Sequence, residues 1–384
     1  MAIISTSLLP LALLSLLSSC TALDGEIEAE LERCGEIIDE HFHSAGWFST
    51  AEPLLAEMDR SGISRGVLMA IYDRVRNPFG GDPNEQVSSI CEGSSGRISC
   101  LASLNTTGDW ETERDAELER LSTYLAKPEF VGAKLAKLAN PHTWLELDSD
   151  IMRDIISTVA ASPKPVVTLH IGTTPFCGPF GDVTLGYRAR CDPQYVDPSY
   201  LDGIIGEYPE VTFVLFHSGH DFLEPDDEMY YNTTLVYESI KLATKYSNTY
   251  LEISGFLRKY ANGTYARPLA PLAMEKIVNA GLAGRVLYGS DQNHYPGGLL
   301  PYLMAAVPAM IDARFTKEER CAALAGNSIS VFGLAVDGGN GNGTGGGNGT
   351  DGGDMTSSAS IVQGKQVFVA VSIVVSIVLS MTLA

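Results

Sequence analysis

Short apolar segments rich in β-branched residues alternate with longer amphipathic segments along most of the chain. This alternation predicts successive strand–helix units around a parallel sheet. Amphipathic helices are predicted over 51–62, 111–127 and 150–162, because charged residues occupy one face of each and Leu, Ile or Ala the other. The predicted strands are 36–41, 65–72, 97–103, 130–136, 165–171, 211–217, 248–254 and 285–291.

Two parallel-sheet architectures produce this pattern, an open doubly wound sheet and a closed barrel. The sequence has eight units and no G-x-G-x-x-G after the first strand, which favours the barrel. The chain has 384 residues, enough for a barrel of about 250 residues and a processing signal at each end. We therefore expect an α/β fold, a single (β/α)₈ TIM barrel over residues 34–336.

The two ends of the chain have the composition of processing and anchoring segments. Residues 1–22 are typical of a secretory signal peptide; the alternatives are a buried N-terminal helix and a bacterial lipoprotein site acylated at Cys20. Residues 337–357 are rich in Gly and Asn and predict a flexible tether. Residues 358–384 predict a glycosylphosphatidylinositol (GPI) signal with Ser357 as acceptor, or alternatively one membrane-spanning helix. The lipid anchor is favoured because no Lys or Arg follows the tail, and it would hold the protein on the extracellular face of the plasma membrane.

Sequons and cysteines also indicate a secreted glycoprotein. Without Cys20, six of the seven cysteines remain, an even number that suggests disulfides. We expect Cys91–Cys100 and Cys177–Cys191 as local bridges, and Cys34–Cys321 between the two ends of the barrel. The N-x-T sequons are Asn105, Asn232, Asn262, Asn342 and Asn348.

The charge balance excludes one class of partner. Asp and Glu total 47 and Lys and Arg total 26, which gives a formal net charge of −21. Because such a chain repels phosphate backbones, nucleic acid is not an expected partner. The sequence does not indicate an oligomeric state.

All seven histidines fall at the end of a predicted strand or just after one, and none lies on a predicted helix. In a (β/α)₈ barrel this is the face that carries the active site. Structural histidines would also be scattered over helices and return loops, so the clustering predicts a functional site. The histidines are His41, His43, His142, His170, His217, His220 and His294.

The histidine pair at the end of the first strand predicts a metal site. Alternate residues of a strand point the same way, so His41 and His43 can present imidazole nitrogens to one ion. His170, His217 and Asp291 end the fifth, sixth and eighth predicted strands, on the same face. Three neutral imidazoles and a carboxylate suit Zn²⁺, with Mn²⁺ or Fe²⁺ as alternatives, and leave a position for water.

Five segments resemble the amidohydrolase superfamily, specifically the amidohydrolase 2 branch that includes the aminocarboxymuconate semialdehyde decarboxylases. The resemblance spans residues 36–334. It implies that His41, His43, His170 and Asp291 are metal ligands and that His217 is catalytic. The single-metal branch also implies that Lys134 lines the barrel rather than bridging two metals. The five segments are DEHFH (39–43), VVTLHIGT (166–173), FVLFHSG (213–219), VLYGSDQNHYPG (286–297) and AGNSISVFGL (325–334).

The expected activity is hydrolysis of a C–N or C–O bond in a small amide, lactone or ester. Asp291 would take a proton from a metal-activated water, and His217 would stabilise the oxyanion or protonate the leaving group. One alternative is decarboxylation of a small unsaturated or aromatic carboxylate at the same site. Another is a surface binding protein that has lost turnover. Glu252 is expected to shape the pocket or to orient a histidine. Candidate substrate contacts are Arg74, which could grip a carboxylate, and Trp47, His142 and His294.

Overall fold

The computed structural model describes residues 25–43, 50–70, 81–104, 110–135, 146–173, 192–220, 235–254, 270–293 and 299–334. The segments on which the signal-peptide, tether and tail predictions rest lie outside these ranges. Within them, no helix has both the length and the apolar character needed to cross a membrane.

The described strands form one parallel sheet, in which the first eight strands pair in the order in which they follow one another along the chain. A ninth strand pairs in parallel with the first. Sequential parallel pairing requires a crossover between neighbouring strands, and helices lie between them. The strands are β1 (Ile38–His43), β2 (Arg65–Met69), β3 (Ile98–Ser103), β4 (Phe130–Leu135), β5 (Val166–His170), β6 (Thr212–Phe216), β7 (Thr249–Glu252), β8 (Val286–Leu287) and β9 (Gln292–Asn293).

The segment from β8 to β9 closes the sheet into a barrel. Its first part pairs with β7 and its last part with β1. Between them the Glu40 amide donates to the Tyr288 carbonyl at 3.1 Å, and the Asp291 amide donates to the His41 carbonyl at 2.7 Å. This seam brings the end of β1 against the residues that follow β8.

Helices lie between successive strands and pack against the sheet. The α-helices are α1 (Gly25–Cys34), α2 (Glu52–Ser61), α3 (Pro83–Gly93), α4 (Trp110–Leu125), α5 (Asp150–Ala160), α6 (Pro193–Val196), α7 (Asp202–Glu207), α8 (Leu235–Lys245), α9 (Ala270–Asn279), α10 (Leu300–Asp312), α11 (Lys317–Cys321) and α12 (Asn327–Phe332). Short 3₁₀ turns cover Pro198–Leu201, His217–Gly219 and Ala283–Arg285, and a π-helical turn covers Ala322–Gly326.

Strand alternation divides the core into two parts. In β6, Phe213 and Leu215 belong to the large cluster that packs against the helices, whereas Val214 and Phe216 belong to a second cluster inside the barrel. Val331 and Phe332 of α12 join the interior cluster. The last described helix therefore contributes to the barrel core, which is filled by side chains.

The structure confirms the (β/α)₈ barrel, and the differences from the predicted elements are local. The first strand is shifted from 36–41 to 38–43 and therefore includes His43. Of the predicted strand 285–291 only Val286–Leu287 is a strand (β8), and a second two-residue strand, β9, begins just after the predicted end, at Gln292. The sixth strand ends at Phe216, so His217 lies in a 3₁₀ turn rather than on the strand.

Candidate metal centre

Two histidines of β1 converge on one carboxylate at the barrel seam. His41 Nε2 lies 3.2 Å and His43 Nε2 3.0 Å from Asp291 Oδ1. The pairing of β1 with β2 shifts register between Asp39 and Phe42, and Phe42 packs in the cluster outside the barrel. The Asp39 carboxylate accepts from the amides of His41 and Ser290, which ties β1 to the residue before Asp291.

Two further histidines extend this group across β5 and β6. His217 Nε2 lies 3.1 Å from His170 Nδ1, and the ring centroids of His41 and His217 are 5.1 Å apart. One ligand atom each from His41, His217 and Asp291 fall within 4.8 Å of one another. The structure thus brings together all five residues predicted for the metal and catalytic roles.

A serine and a glutamate at the end of β7 form hydrogen bonds on the Nδ1 side of His41 and His217. Ser254 Oγ lies 3.1 Å from His41 Nδ1 and 2.9 Å from His217 Nδ1, and it donates to Glu252 Oε2 at 2.7 Å. The same Glu252 oxygen accepts from the His217 amide at 2.8 Å. Glu252 therefore bonds to the backbone of His217 and to the serine beside His41 and His217, which agrees with the expectation that it orients a histidine.

The backbone is left-handed at two of the proposed functional residues. His217 has φ 61°, Ser218 has φ 49° and Asp291 has φ 53°. A non-glycine residue rarely adopts such a conformation, which costs on the order of 1–3 kcal/mol and persists only where the surroundings impose it. The hydrogen bonds from the His217 amide to Glu252 and from the Asp291 amide to His41 hold these conformations.

Burial and charge favour neutral imidazoles beside an ionised carboxylate. Burial, helped by the charge of Lys134, holds the pKa of His41 well below its usual range. For His170, burial and then His217 lower the pKa. Burial acts to raise the pKa of Asp291, but the favourable interactions with His41 and the hydrogen bond with His43 outweigh it, so the pKa lies well below its usual range. Neutral imidazole and ionised carboxylate are the forms that bind metals.

These residues fit a divalent metal ion. Bonds of about 2.0–2.2 Å to nitrogen and oxygen place neighbouring ligand atoms about 3.0–3.5 Å apart, and the distances from the two histidines to Asp291 Oδ1 lie in that range. His170 Nε2 is buried and has no hydrogen-bond partner among the described residues, as expected of a nitrogen whose lone pair serves a ligand. His41, His43, Asp291 and His170 could hold the ion, with His217 beside it.

Buried charged groups lie within the barrel near this cluster. Lys134 is 1 % exposed, and its Nζ lies 3.7 Å from the centroid of the Phe216 ring, which stacks on His41 at 4.1 Å. Lys134 therefore lines the barrel, as expected. Burial raises the pKa of Glu252 to about 8, and burial followed by the Glu252 charge raises that of Glu40 well above its usual range.

The remaining predicted residues divide between described and undescribed parts of the chain. Disulfides join Cys34 to Cys321 and Cys91 to Cys100, as predicted. The sequence did not single out Ser254 or Phe216; the only signal for Ser254 is its position two residues after Glu252. Outside the described residues lie Arg74, Trp47, His142, His294, Cys177, Cys191, Asn105, Asn232, Asn262, Asn342, Asn348 and Ser357.

Comparison with solved structures supports the fold. A probable 2-pyrone-4,6-dicarboxylic acid hydrolase from Acinetobacter baumannii, with citric acid bound, is 19% identical with a TM-score of 0.52, covering 78% of this chain and 99% of that one. A putative enzyme of the same description from Pseudomonas putida is 16% identical with a TM-score of 0.52, covering 79% and 99%. The 2,6-dihydroxybenzoate decarboxylase from Rhizobium is 16% identical with a TM-score of 0.52, covering 78% and 99%.

Sequence comparison identifies the family. A search of curated proteins finds no match. The amidohydrolase family model, in contrast, matches residues 38–334, which is more than half of the chain and includes every strand of the barrel and all five residues of the histidine–aspartate cluster. The chain therefore belongs to the amidohydrolase family.

Proposed function

We propose that this protein is a metal-dependent hydrolase that cleaves a C–N or C–O bond in a small amide, lactone or ester. The observation that carries the proposal is the convergence of His41 Nε2 and His43 Nε2 on Asp291 Oδ1. Membership of the amidohydrolase family supports an enzyme rather than a binding protein.

The residues of the cluster divide the chemistry of hydrolysis between them. A bound divalent ion would lower the pKa of a water and polarise the substrate carbonyl. Asp291 is the proton acceptor in this scheme, because its side chain keeps 23 % of its surface exposed while those of His41 and His43 keep 1 % and 3 %. His217 provides an imidazole beside the same carboxylate, where it can hydrogen-bond a developing oxyanion or protonate the leaving group.

Metal analysis tests the metal site directly. We expect the purified protein to carry one Zn²⁺, Mn²⁺ or Fe²⁺ per chain, and the double variant His41→Ala/His43→Ala to carry none. His220→Ala is a matched control. It removes an imidazole that is as buried as those of His41 and His43 and that comes directly after the 3₁₀ turn His217–Gly219. A double variant that keeps a full complement of metal contradicts the assignment.

A substrate screen separates hydrolysis from the alternatives. Lactones, esters, N-acyl amino acids and aromatic carboxylates should be tested with the metal-loaded protein, with acid release and CO₂ release measured in parallel. Acid release that is lost in Asp291→Asn supports the proposal. CO₂ release without acid release identifies a decarboxylase, an activity that one structural relative carries in its description. Stoichiometric metal without any turnover favours the binding protein.

A further inference from the structure

The hydroxyl of Ser254 joins the two halves of the proposed active site. It lies at the end of β7, is fully buried, and contacts an imidazole from β1 and another from the turn after β6. Its third polar neighbour is Glu252 Oε2 at 2.7 Å. A serine hydroxyl has one proton to donate and two lone pairs to accept, so three neighbours of suitable type use its full capacity.

The direction of each hydrogen bond follows from the Glu252 oxygen. Glu252 Oε2 accepts from the backbone amide of His217, which can only donate. Two oxygens at 2.7 Å need a proton between them. Because Oε2 already accepts the amide, the proton that the raised pKa keeps on Glu252 belongs on Oε1, and the Ser254 hydroxyl donates to Oε2. Since its only proton points at Glu252, Ser254 must accept from both imidazoles. The Nδ1 atoms of His41 and His217 are therefore the protonated ones.

A backbone carbonyl supports this conclusion independently for His217. Its Nδ1 also lies 3.4 Å from the carbonyl oxygen of Ser254, an atom that only accepts. With the proton on Nδ1, the other nitrogen of His217 carries a lone pair and faces His170 Nδ1 at 3.1 Å.

We propose that Ser254, held by Glu252, is a positioning residue that fixes the tautomers of His41 and His217. One hydroxyl thereby leaves a lone pair on the Nε2 of His41, which lies 3.2 Å from Asp291 Oδ1, and on the Nε2 of His217, which lies 3.1 Å from His170 Nδ1. The role of these tautomers in metal binding rests on the proposed function. The tautomers themselves follow from hydrogen bonds within the protein and can be measured without any turnover.

Zinc affinity provides the first test. Ser254→Ala removes the hydroxyl that accepts from both Nδ1–H groups, and the loss of such a supporting partner typically weakens metal binding by about 10- to 100-fold. Ser254→Thr retains the hydroxyl and should bind zinc more tightly than Ser254→Ala. The matched control is Ser328→Ala, another fully buried serine, whose hydroxyl has no partner among the described residues. Zinc affinity in Ser254→Ala equal to that of wild type and of Ser328→Ala overturns the proposal.

Nitrogen NMR of the ¹⁵N-histidine-labelled wild-type protein provides the second test and does not depend on a variant that folds. Long-range proton–nitrogen spectra should place the His217 proton on Nδ1 with and without zinc, and the His41 proton on Nδ1 in the zinc form. Signals are assigned by comparison with His217→Ala and His41→Ala. A His217 proton on Nε2 overturns the inference. Zinc binding with the expected tautomers but no hydrolysis instead overturns only the proposed function.

Discussion

Substitution of Gly289 tests the metal site without changing any of the predicted ligands. It lies on the seam between β8 and Asp291, and a Cβ added there would lie 2.4 Å from His41 Cβ and 2.5 Å from Glu252 Oε1. Ordinary contacts begin near 3.4 Å, so Gly289→Ala must displace one or both residues by about 1 Å. The displaced residues are a predicted ligand and the carboxylate that holds Ser254.

A displacement of this size has a large functional effect. A shift of about 1 Å in a catalytic group can cost about 100-fold in rate, or about 2.7 kcal/mol. Overpacking also destabilises the fold, typically by about 1–3 kcal/mol. We therefore expect Gly289→Ala to lower kcat/KM about 100-fold and to weaken zinc binding. We expect its free energy of unfolding to fall by about 1–3 kcal/mol, which leaves the protein folded at the assay temperature.

Three proteins measured side by side isolate the effect. Zinc affinity is measured by competition with a chelator, turnover on the substrate found in the screen, and stability by thermal denaturation. Gly284→Ala is the matched glycine control, because a Cβ there meets nothing within 4 Å. Ile156→Val, in the buried face of α5, reproduces a modest loss of stability away from the site. If Gly289→Ala binds zinc and turns over as Gly284→Ala does, the assignment of the site to this seam is wrong.

Three further predictions concern the rest of the chain. In the loop-entropy model, the Cys34–Cys321 bridge, with a sequence separation of 287, contributes about 5.7 kcal/mol and Cys91–Cys100, with a separation of 9, about 2.6 kcal/mol. Denaturant unfolding should therefore show a larger loss for Cys34→Ala/Cys321→Ala than for Cys91→Ala/Cys100→Ala, and the reverse order contradicts this estimate. Burial acts to raise the pKa of Glu30, but hydrogen bonds from Arg320 and Arg33 lower it below the usual 4.5. Its stabilising effect is thus complete above pH 4.5 and is lost as pH falls through the lowered value, so the destabilisation in Glu30→Gln should shrink in acid; a pH-independent difference refutes this. Finally, phosphatidylinositol-specific phospholipase C should release the full-length protein from intact eukaryotic cells if the GPI prediction is correct, and retention of the protein after treatment favours the spanning helix.

The sequence predicted the barrel well because buried parallel strands carry a strong local signal. The predicted strands 165–171 and 211–217 each contain the observed strand with one extra residue at either end, since runs such as VVTL and TFVLF are apolar on both faces. The closing strand was harder to predict. β8 and β9 have two residues each, and several backbone groups between them bond to partners more than 240 positions away, such as Asp39 for the Ser290 amide.

The predicted ligands could be recognised from the sequence, whereas the serine that supports them could not. His41 and His43 are recognisable from their spacing alone, and strand ends place His170, His217 and Asp291 on the same face. Ser254 has no motif of its own. Its importance comes from contacts with imidazoles that are 213 and 37 residues away in sequence, which depend on the order of strands around the barrel.

The position of the site makes barrel closure and metal binding depend on the same contacts. His41 and His43 lie on one side of the seam and Asp291 on the other, and the backbone bond from the Asp291 amide to the His41 carbonyl joins the two sides at this point. A metal held by all three residues would bind the closed barrel and not the open chain, so its binding free energy would add to the free energy of closure. The left-handed backbone of Asp291 and the buried carboxylates of Asp39 and Glu40 oppose folding at this seam. The binding free energy of the ion would offset the free-energy cost of this strained backbone and of these buried carboxylates at the seam, where the ligands meet.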